Sequence, residues 1–329
     1  MIRILVPFLA AVLGGGVSPA VAQPVPGPLA GLEADLAALA PEAGGTLGVK
    51  VLHLESGRRA GLSSSDRFPM ASVYKLPIAV VVLARVDAGE LRLDQEVEVR
   101  PGELRRTGSS VDAWTPGGRV LLARLVETMM TRSDNTACDV LLRVLGGARA
   151  VDAWLDAHGY PGIDVSWSEL KMAAAAAGVA NQVEDGECGH ACLDALVARV
   201  PKEKRAAAAL SFARDPRNTA SPDDLARFVA DLRRGRLLSP GSTESLLAMM
   251  RVNRTGDRRI RALLPKGTLV GDKTGTMGGS ANDVGFVELP DGKGTLVVVV
   301  LVKDSTRDAA AKDRAIARAA KAAFDAFAR

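Results

Sequence analysis

Three short clusters in the 329-residue chain combine residue types that can do chemistry together. Ser72-Val73-Tyr74-Lys75 opens a strongly apolar stretch. Residues three apart share a helix face, so the Ser72 hydroxyl and the Lys75 amine can meet. A serine hydroxyl is a weak nucleophile until a neighbouring base takes its proton. A lysine can do so once burial or nearby cations lower its pKa. A helix N-terminus at that point adds a positive field and free N–H donors for an oxyanion. Ser133-Asp134-Asn135 supplies a second hydroxyl able to hand a proton to a leaving nitrogen, and a carboxamide able to hold a substrate amide. Lys273-Thr274-Gly275-Thr276 sets a cation, a hydroxyl and bare backbone side by side, which suits an anionic carboxylate. Each cluster alone has an ordinary structural explanation. Ser72 or Ser133-Asp134-Asn135 serves equally as a helix cap, and the third cluster as a strand ending in a glycine turn.

In this order the clusters read S-x-x-K, S-D-N and K-T-G, the set described for class A β-lactamases and penicillin-binding proteins. The sequence resembles a class A serine β-lactamase from about Leu29 to its final helix. Further matching stretches are Phe68–Leu76 (FPMASVYKL), Ser133–Leu142 (SDNTACDVLL), Arg259–Pro265 (RIRALLP), Gly271–Thr276 (GDKTGT) and Asn282–Gly292 (NDVGFVELPDG). SDNTACDVLL, KTGT and NDVGF look most like the branch containing the PER and VEB enzymes.

The resemblance implies hydrolysis of β-lactams through a covalent acyl-serine. Ser72 attacks the lactam carbonyl, with the N–H groups of Ser72 and Thr276 as oxyanion hole. Lys75 acts as base or relay. Ser133 protonates the departing nitrogen and Asn135 binds the side-chain amide. Lys273, Thr274, Gly275 and Thr276 hold the substrate carboxylate. Arg259 is placed to support that carboxylate, because Asn282 stands on a strand position where many relatives carry arginine. Glu169 lies at the family's usual distance after Ser133 and is the expected base for deacylation. Its bland counterpart is a surface glutamate in a loop, and Glu184 or Glu187 are acids that could replace it. The implied mechanism needs no metal and no organic cofactor. The implied partner is a small β-lactam rather than nucleic acid, and the family default is a monomer.

Two features depart from the pattern. Ala173 stands four residues after Glu169, where the family usually has Asn or His to help hold water. The omega loop's closing stretch is best matched by Arg217-Asn218-Thr219, after an insertion at about 173–217. Asn218 then replaces an ion-pairing Asp, and Trp167 lies near the position of its Arg. These departures keep two alternatives open: a D,D-peptidase or penicillin-binding protein, and a sensor that is acylated by penicillin without efficient release. A hydrolase for another ester or amide would turn over without β-lactam competition.

The elements that must position these residues follow from periodicity and punctuation. Helices are predicted over Leu29–Leu39, Ala71–Val86, Leu121–Arg132, Ala137–Leu145 and Arg307–Arg329. Pro77 predicts a kink unless it falls in the first turns. Ser221-Pro222-Asp223-Asp224 reads as a further helix start. Strands are predicted over Thr46–Leu54, Ala281–Leu289 and Thr295–Lys303. A sheet drawn from both ends of the chain, with a helical region inserted between, fits this order. The expected fold class is α/β plus all-α: an antiparallel sheet flanked by helices, of β-lactamase/transpeptidase type. The expected division is 23–70 with 255–329 for the sheet and 71–254 for the helices. Ala173–Ala209 is Ala-rich without a consistent apolar face, and reads as an extended loop with a helix in its second half.

Composition agrees with a globular enzyme. The chain is 47% hydrophobic and 24% charged, which excludes a mostly disordered or multi-span membrane protein. Net charge is +4, and aromatics are 4%, too few for a base-stacking surface. Met1–Ala22 has Arg3, an apolar run Ile4–Leu13 and a terminal Ala20-Val21-Ala22, the pattern of a secretory signal cut before Gln23. The run is too short to span a bilayer comfortably, so a periplasmic or secreted protein without a retained membrane segment is expected. Export permits a disulfide between Cys188 and Cys192, leaving Cys138 free. Cys188, His190 and Cys192 crowd too closely, without a second cluster, to read as a zinc site. Trp114 fits either a cleft wall or a packed loop, and His53 and His158 show no partner in the sequence.

Overall fold

The computed structural model describes residues 29–106 and 114–328. The expected signal segment lies outside the described residues. The first elements are α1 (Ala30–Ala43), β1 (Thr46–His53), β2 (Arg59–Leu62) and β3 (Phe68–Pro69). A single 3-10 turn, Ala71–Tyr74, then leads into α2 (Lys75–Asp87). The helical region continues through β4 (Glu96–Glu98), β5 (Arg119–Leu121), α3 (Leu122–Arg132), α4 (Asn135–Leu145) and α5 (Ala148–Ala157). Next come α6 (Glu169–Ala177), α7 (His190–Ala198), α8 (Lys202–Ala213), β6 (Thr219–Ala220), α9 (Pro222–Arg233) and α10 (Pro240–Arg251). The chain closes with β7 (Val270–Met277), β8 (Ser280–Glu288), β9 (Thr295–Lys303) and α11 (Ala309–Ala328).

Five strands form one antiparallel sheet in the order β2-β1-β9-β8-β7. The run Leu296–Val302 in β9 is continuously apolar because both faces of the sheet are covered. Side chains alternate along a strand. Val297, Val299 and Leu301 therefore enter the core shared with α2, α4 and α9. Leu296, Val298, Val300 and Val302 enter the core under α1 and α11. β7 lies at the sheet edge, and its Lys273–Thr276 segment passes beside the turn that carries Ser72.

The structure departs from two of the expected elements and places Pro77 in a first turn, where no kink was expected. Ala71–Val86 is not one helix from its start, because residues 71–74 wind as a 3-10 turn. Pro77 is the third residue of α2, where the backbone N–H has no intrahelical acceptor, so it ends no hydrogen bond there. The stretch 173–209 carries helix in its second half as expected, but its first half opens inside a helix rather than as a loop. Ala173 lies within α6, and α7 and α8 follow, with α8 lying back along α6. Neither α7 nor α8 carries a fully buried residue, which is why no consistent apolar face marks them in the sequence. Cys188 and Cys192 are joined by a disulfide that closes the start of α7.

Candidate active site

The nucleophile candidate sits on a strained turn. Ala71 has φ +47°, a left-handed conformation costly for a side chain with Cβ. Two contacts hold it. Asn282 of β8 donates its amide N–H groups to the carbonyls of Pro69 (2.8 Å) and Met70 (3.0 Å). Gly275 of β7 lies so close that a Cβ there would sit 2.4 Å from the Met70 carbonyl and 3.1 Å from the Ser72 nitrogen. Glycine is thus required for the edge strand to approach the turn.

Lys75, fully buried, is the centre of the site. Its Nζ lies 3.1 Å from Ser72 Oγ, 2.9 Å from the Ser133 carbonyl oxygen and 2.9 Å from Glu169 Oε1. It also donates to Asn135 Oδ1. One ammonium therefore gathers the nucleophile, the S-D-N segment and the carboxylate, although these come from positions 72, 133, 135 and 169.

The S-D-N segment is built by a break between two helices. Ser133 has φ +58° and ends α3, which turns its carbonyl onto Lys75 and leaves its hydroxyl toward β7. Asp134 caps α4, its carboxylate accepting from the Ala137 N–H at 2.9 Å and from Trp114 Nε1 at 2.8 Å. Asn135 is thereby the first residue of α4, with its carboxamide at Lys75. Trp114 is tied to the helical region through this cap.

Lys273 is fully buried on β7 and donates to Ser133 Oγ at 3.0 Å and to the Thr274 carbonyl at 2.9 Å. Burial, with Lys75 as a second nearby cation, pulls its pKa well below the ordinary lysine range. Thr274 shares a hydroxyl hydrogen bond with Thr255, and Thr276 stands exposed at the rim. Arg259 is held by an ion pair with Asp313 (2.8 Å) and donates to the carbonyls of Gly275 (3.0 Å) and Asn282 (2.8 Å). Its remaining contact is to Thr276 Oγ1 at 2.6 Å, so its charge reaches the rim through that hydroxyl.

Glu169 opens α6 behind the Ser168 cap, whose hydroxyl accepts from the Lys171 N–H at 3.1 Å. Sequence reasoning missed the group beneath it. Asp139 lies one helical turn after Asn135 and accepts the N–H of Glu169 at 2.8 Å and of Leu170 at 3.2 Å. Its placement on the same face of α4 was the available signal. Burial raises the Asp139 pKa to about 6 against the pull of Arg105. Glu184 does not replace Glu169 at Lys75; it lies beside Lys171 on the outer side of α6. His53 and His158 serve elsewhere, His53 bonded to Ser56 and Lys293, and His158 stacked on Trp154. The disulfide occupies the sulfurs of Cys188 and Cys192. Among the described residues no group of three or more His, Cys, Asp or Glu is placed to hold a metal.

Across the neck of the loop that carries Glu169 an amide makes the closing contacts, while Arg217 pairs with Asp215 on its own side of the neck. Asn218 Oδ1 accepts the N–H groups of Ser166 (3.0 Å) and Trp167 (2.8 Å), and its Nδ2 donates to the Trp167 carbonyl (2.9 Å). The Arg217 guanidinium lies 3.6 Å over the Trp167 ring, whose other neighbour is a stacked Phe212. An amide both accepts and donates, whereas a carboxylate only accepts. Asn218→Asp should therefore destabilise the protein by about 1–3 kcal/mol, the scale of an unmet buried polar group. Chemical denaturation measures this, and an unchanged midpoint would show that Arg217 re-pairs with the new carboxylate.

The geometry has counterparts among known proteins. Residues 31–327 match the Beta-lactamase enzyme family. Beta-lactamase VEB-1 of Pseudomonas aeruginosa is 27% identical over 285 residues, 84% of this chain and 83% of its own. Extended-spectrum beta-lactamase PER-1 of the same species is 29% identical over 288 residues, 85% of this chain and 82% of its own. Among solved structures, a β-lactamase from Chitinophaga pinensis superimposes with a TM-score of 0.75 at 29% identity, covering 90% of this chain and 99% of that one. An ancestral class A β-lactamase gives a TM-score of 0.74 at 33% identity, covering 90% and 100%. With the match spanning nearly the whole described chain and the fold shared throughout, this protein belongs to the beta-lactamase enzyme family.

Proposed function

We propose that this protein is a class A serine β-lactamase that hydrolyses β-lactam antibiotics through an acyl-Ser72 intermediate and so confers resistance. The observation that carries the proposal is the convergence of Ser72, Ser133, Asn135 and Glu169 on the buried Lys75 ammonium. Lys75 and Glu169 lie close enough to share one proton. With that proton on Glu169, the amine is free to take the proton of Ser72 Oγ as this oxygen attacks the lactam carbonyl carbon. The N–H groups of Ser72 and Thr276 would receive the developing oxyanion. Removing one such donor typically costs about 2.7–4 kcal/mol. As the carbon–nitrogen bond breaks, Ser133 Oγ gives its proton to the nitrogen, and the Lys273 ammonium at 3.0 Å stands ready to replace it. Asn135 receives the side-chain amide, while Lys273, Thr274, Gly275 and Thr276 receive the carboxylate, with Arg259 acting through Thr276.

Once Glu169 has released the shared proton to solvent and Lys273 has regained one from it, the Glu169 carboxylate serves as base for release. It takes a proton from a water whose oxygen attacks the acyl carbon, and Ser72 Oγ leaves with a proton returned through Lys75. The chain acts as a monomer exported after cleavage behind Ala22, in keeping with the Met1–Ala22 pattern. Among the described residues no helix is long and apolar enough to cross a membrane.

Two measurements test this. With nitrocefin, the protein from Gln23 should turn over continuously, while Glu169→Ala should give one stoichiometric burst followed by release slowed by about 10²–10⁴-fold, the usual worth of a positioned base. Equal turnover by both would remove Glu169 from deacylation, and a burst in both would favour a sensor or peptidase. The second concerns pH. Because Lys273 loses its proton below the ordinary lysine range, rising pH removes the cation that binds the carboxylate. kcat/KM should therefore fall on the alkaline side through a rise in KM. Lys273→Arg, which stays charged, should push that fall to higher pH. An alkaline limb unmoved by this change would assign it to another group.

A further inference from the structure

We propose that Arg105 is a positioning residue for the deacylation step: its guanidinium ties Asp139, which holds the first turn of α6, to the backbone of the disulfide-closed turn at Cys188. The inference rests on the reading of Glu169 as the deacylation base.

The contacts form a continuous line. Arg105 Nε donates to Asp139 Oδ2 at 2.6 Å, and both groups are buried. Its Nη1 donates to the Cys188 carbonyl at 2.7 Å and to the Leu104 carbonyl at 3.1 Å. The Arg105 backbone N–H donates to Thr136 Oγ1 on α4, so the residue is fixed at its root as well as its tip. On the far side, the two Asp139 oxygens accept the N–H groups of Glu169 and Leu170.

A carboxylate accepts two backbone N–H groups most strongly while it is ionised, and burial opposes ionisation. The Arg105 cation answers that opposition. Without it Asp139 would be pushed toward its protonated form, whose oxygens are weaker acceptors, and the turn that presents Glu169 would be held less firmly.

The inserted segment is fitted to this task. A Cβ on Gly102 would lie 1.9 Å from the Gly186 carbonyl oxygen, and one on Gly189 would lie 2.5 Å from that of Pro101. The two backbones are thus in direct contact on either side of Cys188. The His190 N–H donates to the Leu104 carbonyl at 2.8 Å, which fixes the same turn from its other end. Cys188 also packs with Leu170, Ala174, Val179 and Val183, a small apolar cluster under α6. The disulfide turn therefore meets α6 twice: directly through this cluster, and through Arg105 and Asp139 at its first residue.

The test separates the two chemical steps. Arg105→Gln, Arg105→Lys, and Arg105→Gln in an Asp139→Asn background are compared with the parent by stopped-flow nitrocefin kinetics and acid-quenched intact mass. Thermal unfolding reports whether each variant is folded. Arg105→Gln should slow deacylation by up to about 10²-fold, the scale of a misplacement on the order of 1 Å. The acyl-enzyme should then accumulate, and kcat and KM should fall together while kcat/KM stays within about twofold. Arg105→Lys keeps the cation but cannot reach both partners in one plane, and should fall between. In the Asp139→Asn background, where no carboxylate needs a cation, the same change should have little further effect. Arg105→Lys carries the test if Arg105→Gln does not fold. Loss of kcat/KM without acyl-enzyme accumulation, an unchanged deacylation rate, or an equal effect in both backgrounds would overturn the inference. A parent that does not turn over would overturn the reading of Glu169 beneath it.

Discussion

The buried Lys75 ammonium is the constraint on which the rest of the structure depends. A lone ammonium taken from water is costly, and the fold keeps one at full burial only by surrounding it with acceptors. Two of these, the Ser133 carbonyl and Asn135 Oδ1, are neutral. Ser72 Oγ is a third, and the Glu169 carboxylate is the counter-charge. Removing the partner of such a charge commonly costs about 3–5 kcal/mol, so stability and catalysis draw on the same contacts. The arrangement is also poised. The Lys75 nitrogen lies within hydrogen-bond distance of both the Ser72 hydroxyl and the Glu169 carboxylate, so it bridges the two.

Each surrounding element can be understood by what it fixes around that nitrogen. The 3-10 turn before α2 brings Ser72 over Lys75, and Asn282 with Gly275 holds the strained turn against the sheet edge. The left-handed Ser133 and the Asp134 cap turn one helix end into two acceptors. Asp139, one turn further along α4, seats the first residue of α6 so that a carboxylate from a separate loop meets the same nitrogen. The sheet contributes Lys273 from its edge strand, and the apolar alternation of β9 sets the sheet between two cores, with β7 left at the edge beside the site.

Most of this was legible in the sequence where chemistry and periodicity coincide. Ser72 and Lys75 are three apart, Ser133-Asp134-Asn135 sits at a helix break, and Lys273–Thr276 precedes a strong pair of strands. The strand pair Ala281–Leu289 and Thr295–Lys303 lies within one residue of β8 and β9. What stayed hidden depends on contacts between distant segments. Arg259 was expected at the substrate carboxylate, yet its guanidinium is spent on Asp313, two carbonyls and the Thr276 hydroxyl. Asn218 was legible as a departure from an ion pair, but not as an amide that both accepts and donates across the neck. The insertion was legible only as a loop with a helix in its second half; that this helix is two, α7 and α8, escaped because they bury little, and tertiary burial is what writes periodicity into a sequence. Asp139 offered only its place one turn after Asn135 on α4, and Arg105 offered nothing, because an Asp and an Arg 34 residues apart have no local signature as a pair.

If the buried Lys75 amine organises both Ser72 and Glu169 for catalysis, acylation must depend on it, and the direct test is pre-steady-state acylation of Lys75→Ala. Stopped-flow nitrocefin kinetics, on protein shown to be folded by circular dichroism, should find acylation of Ser72 slowed by about 10²–10⁴-fold, the worth of a positioned proton acceptor. A folded variant that acylates at the parent rate would show that Ser72 is activated by some other group, and would contradict the account.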